Sequence, residues 1–223
     1  MRLSGFARFL VLACALGGSL ATKQAGAQCA AQDAMGNGRL LTDSSFAPAF
    51  PAAQSAAGIP VWKTVKVGTA ASKWDLHRAL AAANCGIGDS AEQIFAQPQF
   101  FVSAAKIETD LVRISVAELG LQSASLGEVY ARAQSLGFAL AAPEIGPQLR
   151  LQYFEQPSGE FLDIGMAPIA TDDGKPEIFV VANGGAGLLL VGADAGEATR
   201  FHSTARFVFV RQRNVASSQE KSD

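Results

Sequence analysis

Residues 148–212 alternate apolar and polar side chains with period two, interrupted by short glycine-bearing turns. Such alternation marks half-buried strands. Segments 148–154 and 160–166 read as a hairpin closed by Gln156-Pro157-Ser158-Gly159. Segments 177–183, 188–193 and 205–212 follow, separated by turns at Asp173-Gly174, Gly184 to Gly187 and Gly196. No crossover helix joins these strands, and parallel neighbours need one. The spacing therefore predicts a mainly antiparallel sheet and disfavours βαβ winding.

Upstream the apolar positions change to helical spacing. Residues 61–67 set Val61, Val65 and Val67 against Lys63 and Lys66, a strand pattern. Ser72 and Asp75 form a capping pair for a helix carrying Leu76, Ala79, Leu80 and Ala83, with Gly86 at its end. Asp89 and Glu92 open a second, short helix that Pro98 stops. Residues 109–116 read as a strand with Val112, Ile114 and Val116 inward. Ser125 with Glu128 starts a third helix, carrying Leu126, Val129, Tyr130, Ala133 and Leu136 and closed by Gly137. Helices first and a meander of strands later give an α+β class: an N-terminal strand, two to three short helices, then a mainly antiparallel sheet of about five to seven strands.

The first 27 residues have a different character. Arg2 and Arg8 precede an apolar run from Phe9 to Gly17, and Ala25-Gly26-Ala27 is a small-residue cleavage site before Gln28. This pattern predicts a secretory leader and a periplasmic or secreted protein. The run is too short for a transmembrane span, and no later run is long enough either. Cys14 after Leu12-Ala13 is an alternative lipidation point, with only the five apolar residues after Arg8 before it. Residues 28–60, rich in Ala, Ser, Pro and Gly, read as an arm or linker. Residues 61–213 read as one globular domain and 214–223 as a polar, flexible tail. The whole chain has 18 basic and 20 acidic residues. The leader takes Arg2, Arg8 and Lys23 and no acid, so 15 bases remain against 20 acids, a formal charge of −5. That excludes nucleic-acid binding by bulk charge.

Without the leader two cysteines remain, Cys29 and Cys85. In an exported chain they invite a disulfide. It would close a 57-residue loop, a constraint worth about 4 kcal/mol in the chain-entropy account.

Catalytic signatures are missing. The chain has no G-x-S-x-G elbow, H-E-x-x-H, phosphate loop or EF-hand loop. Gly185-Ala186-Gly187 opens like a dinucleotide fingerprint but lies between two strands, where a hairpin turn accounts for it. No cofactor and no metal site are implied. His77 and His202 stand far apart and read as solvated side chains.

The expected hairpin supplies the candidate sites. Setting Leu151 opposite Ile164 makes facing positions sum to 315. Tyr153 then faces Leu162 and Leu149 faces Met166, one apolar side; Gln152 faces Asp163 and Arg150 faces Gly165 on the polar side. Glu155 faces Glu160 at the tip. Two facing carboxylates suit acid/base work on a glycan or a metal site, or a solvated tip with the charges splayed. The strip of Gln148, Arg150, Gln152 and Asp163 suits a small anionic or sugar-like ligand anchored by Arg150, or the wet face of a sheet. Glu144, before Gly146-Pro147, could join either.

The stretches Val116-Ala117-Glu118-Leu119-Gly120, Tyr130-Ala131-Arg132-Ala133, Gly146-Pro147-Gln148-Leu149-Arg150-Leu151-Gln152-Tyr153, Gln156-Pro157-Ser158-Gly159-Glu160 and Met166-Ala167-Pro168-Ile169 resemble a set of small bacterial proteins. The likeness spans residues 62–211. It implies one compact domain and attaches no reaction, ligand or catalytic residue. Two functional classes follow. The first is a non-catalytic exported module binding an envelope partner or small ligand through Arg150, Gln152 and Asp163. The second is a small hydrolase of cell-wall or glycan substrates using Glu155, Glu160 or Asp163. A structural envelope protein is a third reading.

Overall fold

The structure is a computed structural model and describes residues 52–212. The expected leader, Cys29, most of the arm and the tail lie outside those residues. A short 3-10 turn, Ala56–Gly58, precedes the first strand. The elements then run β1 (Lys63–Val67), α1 (Lys73–Ala82), β2 (Gly86–Ile87), α2 (Asp89–Ala96), β3 (Ile107–Ser115), β4 (Ser123–Ser125), α3 (Leu126–Ser135), β5 (Phe138–Ala139), α4 (Ile145–Gln152), β6 (Phe161–Ile164), β7 (Ile169–Ala170), β8 (Pro176–Gly184), β9 (Gly187–Asp194), β10 (Arg200–His202) and β11 (Arg206–Arg211).

One large sheet has the order β1-β3-β11-β6-β8-β9-β2, with β5 beside β11 and β7 beside β8; β10 and β4 form a separate pair. The class is α+β, as the segment pattern implies. The sheet is mixed, however, because β11 runs parallel to β6 and β2 parallel to β9. The parallel pair β6–β11 is not contiguous in sequence. A meander of hairpins and a short distant pair enter between the two strands, so local reading of connections misses it.

Several local expectations hold for visible chemical reasons. Ser72 Oγ accepts from the Asp75 backbone at the start of α1, and Ser125 and Glu128 make a reciprocal capping box on α3. The turn after α1 is taken by Asn84 at φ +54°, not by Gly86; asparagine is among the few side chains that tolerate this conformation. β8 and β9 form the expected tight hairpin, with Gly184 opposite Gly187. The end of the expected arm is bound to the domain. Ala53 and Ala56 donate backbone hydrogen bonds to Glu118 and Leu136, and Arg211 donates to the carbonyls of Ala56 and Ile59. Cys85 is a buried free thiol and no disulfide is seen; its expected partner Cys29 lies outside the described residues.

The hairpin 148–166 is overturned. Residues 145–152 form helix α4, and β6 pairs with β8 and β11 instead of with residues 148–154. Alternating polarity here does not separate an inside from an outside, because Gln148, Leu149 and Arg150 are all buried. Pro147 sits in the first helical turn, where its missing N–H costs nothing. Ile145 and Leu149 share one helix face at i, i+4. The open space expected at Gly165 is filled: a Cβ there would lie 2.3 Å from Phe209 Cε1.

Helix α4 packs on β1, β8 and β9 together with α1, and α2 covers β8 and β9 beside them. Phe95, Phe100 and Phe179 interlock in that layer. On the other face Tyr130 of α3 meets Phe207 and Phe209. Arg150 is the largest wholly buried side chain. It donates to Gln156 Oε1, to the Tyr153 carbonyl and, at 3.1 Å, to the Ala182 carbonyl. Among the described residues its Nε has no hydrogen-bond partner, and desolvation lowers its pKa. Truncation would remove these bonds from buried acceptors and open a cavity. Arg150→Ala is therefore expected to cost roughly 3–5 kcal/mol of unfolding free energy in urea. A loss below about 1 kcal/mol would contradict this role.

Candidate functional site

The site residues expected from the hairpin do not come together. Arg150 is buried beneath the segment that follows α4 and cannot anchor a ligand from solvent. Gln152 is bound to the outer strand: its Oε1 accepts from Lys66 N and its Nε2 donates to Lys66 O, both at 2.9 Å. That pair of bonds caps the backbone of β1, which has only β3 as a strand neighbour. Glu155 stands outside, its carboxylate 68 % exposed and 2.7 Å from Lys63 Nζ. Glu160 is turned inward instead, with 6 % of its side chain exposed. The facing pair Glu155/Glu160 does not form.

Glu160 is fully engaged. Its Oε1 accepts from Arg113 at 2.6 Å and from Arg206 at 3.4 Å, and Oε2 accepts from Tyr153 Oη at 2.9 Å. Desolvation, then the bond to Glu160, pushes the Tyr153 phenol up to about 12. Trp62 packs edge-on to Tyr153 and lies under Arg113. Glu144 is likewise structural: its carboxylate accepts from Gly68 N, Ser103 N and Gln148 Nε2 and so joins two loops to α4. His77 pairs with Glu92 at 2.7 Å on the helical surface. No group of three metal-ligating side chains occurs among the described residues.

Asp163 is the exception. It lies in an open cleft of about 640 Å³, whose lining also includes Glu160, Phe161, His202 and Arg206. The cleft has a topological cause. β6 pairs with β8 over residues 161–163, but with β11 only at Asp163↔Phe207 and Ile164↔Val208. On the N-terminal side of Asp163 and Phe207 the parallel strands part, and β10 with its turn forms the far wall. Asp163 therefore sits at the apex of the split. Its register with Phe207 places it on the face of Tyr130, whose phenol is raised by burial first and by Asp163 second. Among the described residues no donor and no counter-charge reaches the Asp163 carboxyl, and desolvation alone pushes it up to about 7.

Three of these residues, His202, Arg206 and Phe161, carry no motif. They are brought together by a strand pairing 40 residues and more distant in sequence. Compared with known proteins, the chain matches no family model, no curated protein and no solved structure.

The raised pKa fixes a sign. In the folded chain Asp163 holds its proton more tightly than in the unfolded chain. Its stabilising contribution is therefore full below the unfolded value near 4 and is lost as pH rises through about 7. Carboxyl carbon NMR should show Asp163 titrating near 7. Asp163→Asn should flatten the fall in stability between about pH 4 and 8, a gain at the alkaline end on the order of 2–4 kcal/mol. A midpoint near 4, or a variant with an unchanged pH slope, would contradict the assignment.

Proposed function

We propose that this chain is an exported, non-catalytic binding protein of the cell envelope, and that the cleft over Asp163 takes a small polar ligand. The observation that carries the reading is a half-buried carboxyl at the cleft apex that no donor reaches among the described residues. Withdrawing such a group from water without a partner costs stability. A ligand that supplies the donor offsets that cost, so binding and folding favour the same occupied state. The leader pattern at residues 1–27 supports export.

The carboxylate hydrolase is less well supported. Acid/base cleavage of a glycosidic bond needs two free carboxyls about 5 to 10 Å apart. Glu155 is tied to Lys63 and points to solvent, and Glu160 is held by two arginines and a tyrosine. One available carboxyl, Asp163, supports recognition better than hydrolysis.

The reading is tested on full-length protein expressed in a bacterial host and purified from the periplasm without denaturation. After acid denaturation, mass spectrometry of the released small molecules should find a compound at near one per chain. Thr204→Trp, which places an indole on the exposed cleft lining, should arrive without it. Equal recovery from both proteins, or none from the wild type, would count against the cleft as a binding site.

A further inference from the structure

The cleft presents opposite charges from opposite sides of the sheet. Asp163 is in register with Phe207, and Arg206 is the preceding residue of β11. Adjacent residues in a strand project to opposite faces. The carboxyl therefore enters from the side of Tyr130 and Phe207, and the guanidinium from the side of Glu160 and Arg113. Both reach one cleft because β6 and β11 part on the N-terminal side of this register.

Both charges have bonding capacity left. Among the described residues Asp163 has neither donor nor counter-ion. Arg206 has 51 % of its side chain exposed, and the Glu160 oxygen it approaches at 3.4 Å already accepts from Arg113 at 2.6 Å. Tyr153 takes the second oxygen of Glu160. With that carboxylate satisfied by others, the Arg206 fork keeps N–H groups for an incoming anion.

Resting on the binding role of this cleft, we propose that its ligand is an amino-acid zwitterion in the form of a short peptide, its ammonium against Asp163 and its carboxylate against Arg206. The space of about 640 Å³ suits a ligand larger than a single residue. Phe161, 55 % exposed on the lining, offers an apolar face to a peptide side chain. A neutral sugar would satisfy Asp163 and leave Arg206 without an anion. A simple anion would satisfy Arg206 and meet an ionised Asp163 of like sign.

The test mixes the folded, exported chain with the short-peptide fraction of a tryptic casein digest. The digest is used untreated, N-acetylated, or methyl-esterified at its carboxyls; glucose and acetate are separate probes. Retained peptides are measured by equilibrium dialysis and mass spectrometry, and contacts by the NMR signals of Asp163 and Arg206. The untreated digest should be retained and move both signals. Acetylation and esterification should each cut retention about tenfold or more, as should Asp163→Asn and Arg206→Gln. The blocked digests leave the protein unaltered, so the result does not depend on how the variants fold. Equal retention of blocked and untreated peptides would overturn the proposal. Glucose or acetate moving these signals while no peptide is retained would also overturn it, yet leave the cleft a binding site. If no probe moves Asp163, the zwitterion is refuted; the binding role falls with it only if the natively purified chain also carries no small molecule.

Discussion

A guanidinium with no exposed surface and, among the described residues, no carboxylate within ion-pair distance organises the segment around the cleft. Arg150 leaves α4 and donates to the Gln156 side chain, the Tyr153 carbonyl and the Ala182 carbonyl of β8. Gln156, also buried, passes the constraint on through Nε2 to the carbonyls of Glu160 and Val181 at 3.1 Å. Asn183 completes the frame by donating to the Gln156 carbonyl at 2.7 Å. Helix, loop and central strand are thereby held in one relation. A charge buried this way is expensive, and its compensation is a set of three carbonyl oxygens.

The cleft depends on that frame. The loop that Gln156 anchors runs into Glu160 and then β6, and it forms one wall. With this wall held against β8, β6 is apart from β11 on the N-terminal side of Asp163. Arg113 and Arg206 hold Glu160 on one side of the opening, and Asp163 is left uncompensated at its apex. A neutralised carboxylate and an unneutralised one stand three residues apart for this reason.

Much of the scaffold was legible in the chain. Capping pairs at Ser72 and Ser125 and glycines at the β8–β9 turn act through local chemistry, so their effects can be read locally. Segment 148–154 misled because strand alternation assumes that polar means exposed. Gln148 and Arg150 are polar and buried, each with partners far along the chain. The more informative signal was Gly146-Pro147: glycine lets α4 lie against Phe179, and proline suits the first helical turn. Asp163 was singled out as a site residue for a neighbour, Gln152, that it does not have. Its actual surroundings come from pairing with β11 and from β10. Arg206 and His202 gave no sign because only the parallel pairing brings them to the cleft.

Asp163 as the acceptor for an outside donor is the point on which the functional account turns. The most direct measurement is a high-resolution crystal structure of the chain purified from the periplasm without denaturation or added ligand. The account expects density in the cleft with a donor atom within about 2.7–3.2 Å of an Asp163 oxygen. A cleft filled only by bulk-like solvent, with the Asp163 carboxyl turned onto a donor of its own chain, would contradict it.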